Sequence, residues 1–106
     1  MPALVVLCTC PDTACAEAIA NALVGERLAA CVNALPGVIS TYRWDDAICR
    51  DREVLLLAKT THERFDALRA RIEALHPAEL PEVIAVEVGA GLDRYLGWIE
   101  AETRGA

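Results

Sequence analysis

The sequence predicts a single α+β domain in which a four-stranded sheet packs against two helices and a short third helix follows. Three observations predict this class. Apolar, β-branched runs alternate with helical patterns in the order βαββαβ and then α. A hairpin signal separates the second strand from the third. The length of 106 residues fits one domain and excludes two domains of ordinary size.

The first strand is predicted over residues 3–9, a continuous apolar run that ends in a turn signal. Asp12 or Thr13 can then cap the first amides of a helix. This helix is predicted over 13–26, because alanine, isoleucine and leucine recur at helical spacing and Gly25 marks its end.

A long hairpin forms the middle of the predicted fold. An apolar run and an alternating pattern cover residues 29–44, with an interruption at Pro36, so we expect one long strand with a bend there. Asp45 and Asp46 are predicted to form the hairpin tip. The return strand is expected over about 48–60 and ends in a continuous apolar run.

The second helix is predicted to begin after Thr60 or Thr61, either of which can cap it, and to stop at Pro77. A proline-rich loop over 77–82 then leads into the fourth strand, predicted over 83–88.

A short terminal helix is predicted over 92–99, with Tyr95 and Trp98 as its aromatic residues. Two βαβ halves joined by a hairpin describe a ferredoxin-like sandwich, in which both helices cover one face of the sheet. The third and fourth strands are apolar on both faces, so we expect copies of the same chain to cover the other face.

The composition restricts the classes of partner. The formal net charge is -6, so nucleic acid and anionic membrane surfaces are poor partners, whereas cations are favoured. No apolar run approaches the roughly 20 residues that span a bilayer. Five cysteines without a Cys-x-x-Cys pair, and no basic residue before the first apolar run, predict free thiols and a cytoplasmic location.

Candidate ligand residues are few. Cys8 and Cys10 lie two apart on a strand, so their thiols share a face and could bind Cu(I) or Zn(II), although ordinary packing explains them as well. Cys15 is interpreted as a packing residue of the first helix. His76 either caps the second helix or forms a divalent-cation site with the loop carboxylates of Glu79 and Glu82.

Two other polar residues are interpreted as surface groups, namely His62 in the first turn of the second helix and Lys59 at a strand end. The sequence contains no nucleophile elbow, phosphate-binding glycine loop or His-Glu-x-x-His helix, so we predict no enzymatic activity.

A series of short motifs occurs in order along nearly the whole chain: Val6-Leu7-Cys8-Thr9, Leu28-Ala29-Ala30-Cys31-Val32-Asn33, Pro36-Gly37-Val38, Ser40 with Tyr42 and Trp44, Lys59-Thr60, His76-Pro77, Pro81-Glu82, and Tyr95-Leu96 with Trp98. Together these motifs resemble the CutA divalent-cation tolerance proteins. The resemblance implies a ferredoxin-like homotrimer, a cytoplasmic location, copper binding in some members and a link to metal tolerance. The architecture is also similar to that of the PII signalling trimers.

The resemblance implies a copper site. Cys8 matches the strand cysteine that bacterial relatives offer to copper, and His76 matches the histidine before the loop proline. To these two we add Cys10 or Glu82 as further predicted ligands. The chain departs from the family at Leu75, at Ala78 and at the hairpin tip, where Asp45-Asp46 replaces the usual glycine-containing turn. We therefore predict a trimeric, copper-binding tolerance protein, with a PII-like module that binds small molecules between subunits as the alternative.

Overall fold

Four strands and three helices follow one another along residues 2–105, which the computed structural model describes. The elements are β1 (Ala3–Cys10), α1 (Thr13–Gly25), β2 (Cys31–Trp44), β3 (Ala47–Thr61), α2 (His62–Leu75), β4 (Ile84–Glu87) and α3 (Asp93–Glu102). The predicted α+β class and the βαββαβ order with a C-terminal helix are confirmed.

The strands form one antiparallel sheet in the order β2-β3-β1-β4. The central strand β1 pairs with β3 along its whole length, from Ala3 opposite Thr61 to Cys10 opposite Val54. It pairs with β4 on its other side. This arrangement is the ferredoxin-like topology that the sequence predicts, and it leaves β2 and β4 at the two edges.

The main core lies between the sheet and the two longer helices. Strand residues alternate between this core and the opposite face, as the period of a strand requires. The helices contribute Ile19 and Leu23 from α1 and Leu68 and Ile72 from α2, all of them fully buried. Burial of each such side chain stabilises the fold by about 1.5–3 kcal/mol, which fixes both helices on this face.

The hairpin of β2 and β3 carries the bend that the sequence predicts. The register shifts between Leu35 and Val38, and Gly37 within this bulge has a φ of 78°. A two-residue turn closes the hairpin, where Asp45 and Asp46 have φ values of 50° and 60°. Both central residues of a type I′ turn need such left-handed conformations, so the predicted tip is correct.

The helix starts differ in how they are capped. Asp12 accepts a hydrogen bond from the Cys15 backbone N–H through Oδ1 at 2.8 Å, as predicted for the start of α1. Thr61 occupies the N-cap position of α2 but makes no side-chain cap bond. The Thr60 hydroxyl instead donates to the Leu28 carbonyl at 2.7 Å, because the strand alternation turns this side chain into the core.

The second face of the sheet is only partly covered by the chain itself. At one end, Ile99 and Leu96 of α3 pack against Ala3. Further along, Ile84 and Val86 on β4 are 55% and 56% exposed. Strand β4 is also shorter than the predicted 83–88. No helix within residues 2–105 is long and apolar enough to cross a membrane.

Candidate metal centre

Cys8 and Cys10 lie near the end of β1, on the face that the two longer helices cover. Their side chains are 2% and 0% exposed. They are paired with Leu56 and Val54 of β3, which face the same core. The shared face predicted for the two thiols is observed, and it lies inside the core.

His76 follows the last residue of α2, and its backbone N–H donates to the Ile72 carbonyl at 2.8 Å. Its ring is half-buried. The Ala78 backbone N–H donates to Nδ1 at 3.0 Å, and Nε2 lies 2.7 Å from the Thr9 carbonyl oxygen. Because Nδ1 accepts, Nε2 carries the ring proton and donates to Thr9. The imidazole is therefore anchored on β1 at the carbonyl of Thr9, the residue between Cys8 and Cys10 in the chain, and His76 is both a helix end and a neighbour of the cysteines.

The ligand atoms of Cys8, Cys10 and His76 all lie within 4.8 Å of one another. Two sulfur atoms and one imidazole nitrogen form a donor set that suits copper or zinc. Metal binding requires deprotonated thiols and a free ring nitrogen. Loading of this site would therefore release thiol protons and break one of the two ring hydrogen bonds of His76.

The Cys10 thiol is protonated in the metal-free cluster. The hydrogen bond with the Cys8 thiol, followed by burial, raises the pKa of Cys10 well above its ordinary value. A thiolate without a nearby cation is disfavoured in such surroundings. The charge of a bound metal ion would supply the missing stabilisation.

Cys15 adds a third thiol that the sequence interpretation assigned to packing. It lies in the first turn of α1, half-buried against the main core. Burial is the main cause that raises the pKa of Cys15 to about 11, and the neighbouring Cys10 thiol is the second cause. The short connection between β1 and α1 is the sequence signal for this proximity, because it returns the chain directly over the end of the strand.

Glu82 lies apart from the close group of Cys8, Cys10 and His76. Its exposed side chain, like that of Glu79, lines a cavity of about 580 Å³ between the loop and the hairpin. Tyr42 and Trp44 of β2 form the aromatic part of this cavity. Three of the four predicted ligands therefore lie close together, whereas Glu82 lies at the separate cavity.

The two remaining polar candidates have partners of their own. His62 is exposed, as predicted, and its Nε2 lies 3.0 Å from a carboxylate oxygen of Glu87. Lys59 is half-buried on the second face of the sheet, where its ammonium donates to the Asn33 side-chain oxygen. Neither residue approaches the thiol cluster through these contacts.

Comparison with known proteins gives a consistent set of relatives. The model of the CutA1 divalent ion tolerance protein family matches residues 4–102. A divalent-cation tolerance protein CutA of Thermus thermophilus is 48% identical over 99 residues, which cover 93% of this chain and 96% of that protein. The chloroplastic protein CutA of Arabidopsis thaliana is 39% identical over 104 residues, which cover 98% of this chain and 57% of that protein.

Solved structures agree with the sequence relatives. The divalent cation tolerance protein of Thermus thermophilus superposes with a TM-score of 0.94 at 48% identity, covering 95% of this chain and 98% of that one. A PII-like protein CutA from a Nostoc species, solved in apo form, superposes with a TM-score of 0.88 at 38% identity, covering 98% of each chain. These names describe cation tolerance or a PII-like protein, and none of them states a reaction.

Proposed function

We propose, since this chain belongs to the CutA1 divalent ion tolerance protein family, that it acts in metal tolerance by binding copper at the site formed by Cys8, Cys10 and His76. The observation that carries the proposal is the approach of these three ligand atoms to within 4.8 Å of one another. Soft sulfur and borderline nitrogen ligands favour copper over magnesium or calcium. The net charge of -6 raises the local concentration of any cation.

Titration with Cu(I) and Cu(II) in a calorimeter tests the proposal on wild type, Cys8→Ala and His76→Ala. We expect saturable binding by the wild type and a lower affinity in both variants. Cys49→Ala is the matched control, because this half-buried thiol lies on the hairpin opposite Tyr42, away from the cluster. Equal affinities in all four proteins would assign Cys8 and His76 to structure alone.

The functional unit that we propose is a homotrimer. The support comes from the second face of the sheet, where Ile84 and Val86 are more than half exposed in the single chain. Contiguous exposed apolar surface on a soluble domain marks an interaction site. In a closed symmetric trimer each chain has two neighbours, and these neighbours would also cover the edges of its sheet.

An alternative function is favoured by the cavity of about 580 Å³ between the hairpin and the loop. This volume is in the range of small-molecule sites. Tyr42 and Trp44 face Glu53, Glu79 and Glu82 there, a lining that suits a small organic cation. A PII-like module would bind its ligand here and need no metal. A thermal-shift screen of amines and neutral metabolites, repeated on Trp44→Ala, tests this alternative.

A cytoplasmic location stays a prediction. It is supported by five free cysteines, which are typical of a reducing compartment.

A further inference from the structure

The second face of the sheet carries a lysine that is surrounded by uncharged residues. Lys59 lies on β3, directly between Cys31 of β2 and Val5 of β1, and all three residues are half-buried. Leu57, the next residue of β3 on this face, is half-buried as well. The nearest acidic residue on this face of β3 is Glu53, about 20 Å away along the strand. The sheet residues around Lys59 therefore provide no carboxylate.

The ammonium group of Lys59 has only uncharged partners within residues 2–105. It donates to the side-chain oxygen of Asn33, and its Nζ lies 4.0 Å from Sγ of Cys31. None of the ion pairs among these residues includes Lys59. An ammonium carries a full charge and three N–H donors, and a charge on a half-buried apolar surface is unfavourable without a counter-charge.

Asn33 provides a second hydrogen-bond donor beside this ammonium. Its side-chain oxygen accepts from Lys59, so the N–H groups of its amide nitrogen are left without a partner in the described part of the chain. An anion with two oxygen atoms could accept from the Lys59 ammonium and from the Asn33 amide at the same time. A cation would be repelled by the ammonium, so this location selects an anion in spite of the net charge of -6.

Backbone contacts hold the lysine in place. Strand β3 has a partner strand on each side, and the Lys59 carbonyl also accepts from the Ala30 N–H at 2.9 Å. Helix α3 closes the adjacent end of the face, where Ile99 packs against Ala3 and Ala30. Side chains on such a rigid support lose little freedom when a ligand binds, which lowers the cost of binding.

We propose that Lys59 and Asn33 form a binding site for a small organic anion, whose carboxylate contacts these two residues and whose apolar body lies on Val5 and Leu57. The carboxylate supplies the missing counter-charge, and hydrogen bonds between ionised groups are the strong ones. The site lies on the opposite face of the sheet from the proposed copper site and outside the cavity of Tyr42 and Trp44, so it goes beyond both functions proposed above.

Calorimetric titration of the full chain with sodium hexanoate tests the site on wild type, Lys59→Met, Asn33→Ala and the control Arg43→Met. Lys59→Met keeps an aliphatic side chain and removes the charge. Arg43→Met makes the same change of charge at an exposed position of the hairpin, opposite Ile48. We expect saturable binding by wild type and control, and an affinity at least about tenfold lower in Lys59→Met, because the charged hydrogen bond is lost. Asn33→Ala removes a neutral donor and should weaken binding less.

Two further probes separate the contributions of the charge and of the apolar body. Sodium acetate has the same head without the body, so it should bind more weakly than hexanoate. Hexylammonium chloride has a body of similar size and the opposite charge, so it should not bind at this site. Hexylammonium binding as tight as that of hexanoate, or equal hexanoate affinities in wild type and Lys59→Met, would overturn the proposal.

Absence of hexanoate binding by the wild type would also overturn it. Light scattering on Lys59→Met then identifies the counter-charge: a lower assembly mass than that of wild type would assign the ammonium to a carboxylate of a second copy of the chain. The copper titration above is unaffected by either result.

A second measurement uses the wild type alone, so it does not depend on how the variants fold. Lys59 is the only lysine of the sequence, so acetylation by acetic anhydride followed by mass spectrometry reports on a single side-chain amine. Saturating hexanoate should slow this acetylation several-fold, while free Nα-acetyl-lysine in the same solution reacts at an unchanged rate. Acetylation of Lys59 at the same rate with and without hexanoate would contradict the site.

Discussion

Cys10 and His76 each have a structural role, and each also offers an atom that can bind a metal ion. Cys10 fills the core at 0% exposure, and the His76 ring links two backbone groups. Strand alternation was sufficient to predict that Cys8 and Cys10 share a face. The proximity of His76 to them came from the family resemblance. The path of a loop decides where Glu82 lies, and no local pattern encodes that path.

Cys15 gives a prediction for alkaline stability of the metal-free protein. Burial and the neighbouring Cys10 raise its pKa from 9.0 to about 11. A pKa raised by folding means that the folded state prefers the protonated thiol, so this contribution is complete below pH 9 and is lost as the pH rises towards 11. The melting temperature of wild type should therefore fall over this window.

The comparison variant for this measurement is Cys15→Ser, which has no thiol to ionise at this position. Its melting temperature should fall less steeply between pH 9 and pH 11 than that of wild type, when both are followed by circular dichroism. Parallel pH profiles of the two proteins would contradict the role of Cys15.

At the scale of elements, the sequence predicted the order and type of every strand and helix, and the differences lie at their ends. Strand β4 covers Ile84–Glu87 and not 83–88, because the ladder with β1 pairs these four residues, while Val88 adds only a single hydrogen bond from its N–H to the Ala3 carbonyl at 3.0 Å. Strand β2 begins at Cys31, two residues later than its apolar run. Such limits depend on the pairing strand, which a single segment of sequence does not contain.

The hairpin tip gives a prediction at this scale. Asp46 has a φ of 60° in the two-residue turn, a conformation that glycine adopts at lower energy. Asp46→Gly should therefore raise the free energy of unfolding by roughly 0.5–1 kcal/mol, somewhat less than the full left-handed penalty because aspartate tolerates this region. Urea denaturation measures the change.

The control at the tip is Asp46→Ala, which removes the same carboxylate and keeps a Cβ atom. It should destabilise the protein or leave it unchanged. Equal stabilisation by glycine and alanine would attribute the effect to the lost charge and not to the backbone conformation.

At the scale of the whole molecule, the two faces of the sheet are unequal. The two longer helices build the main core on one face, while α3 reaches only one end of the other. A chain with a net charge of -6 is repelled by its own copies, so an assembly requires enough apolar contact to exceed this repulsion. Salt should consequently strengthen the proposed trimer, since it screens the repulsion and leaves the apolar contact intact.

The last prediction concerns Val86, which lies on the incompletely covered face at 56% exposure. In a single chain, Val86→Asp places a charge in water at little cost. In the proposed trimer the same charge would be buried without a partner, which destabilises an interface by several kcal/mol. Light scattering at micromolar concentration should give about three times 11.4 kDa for wild type and a mass near that of one chain for the variant.

Val24→Asp makes the same change at 43% exposure on α1, in the helical layer, and should leave the mass of the assembly unchanged. A wild type of 11.4 kDa, or a Val86→Asp variant with the wild-type mass, would remove this face from the assembly.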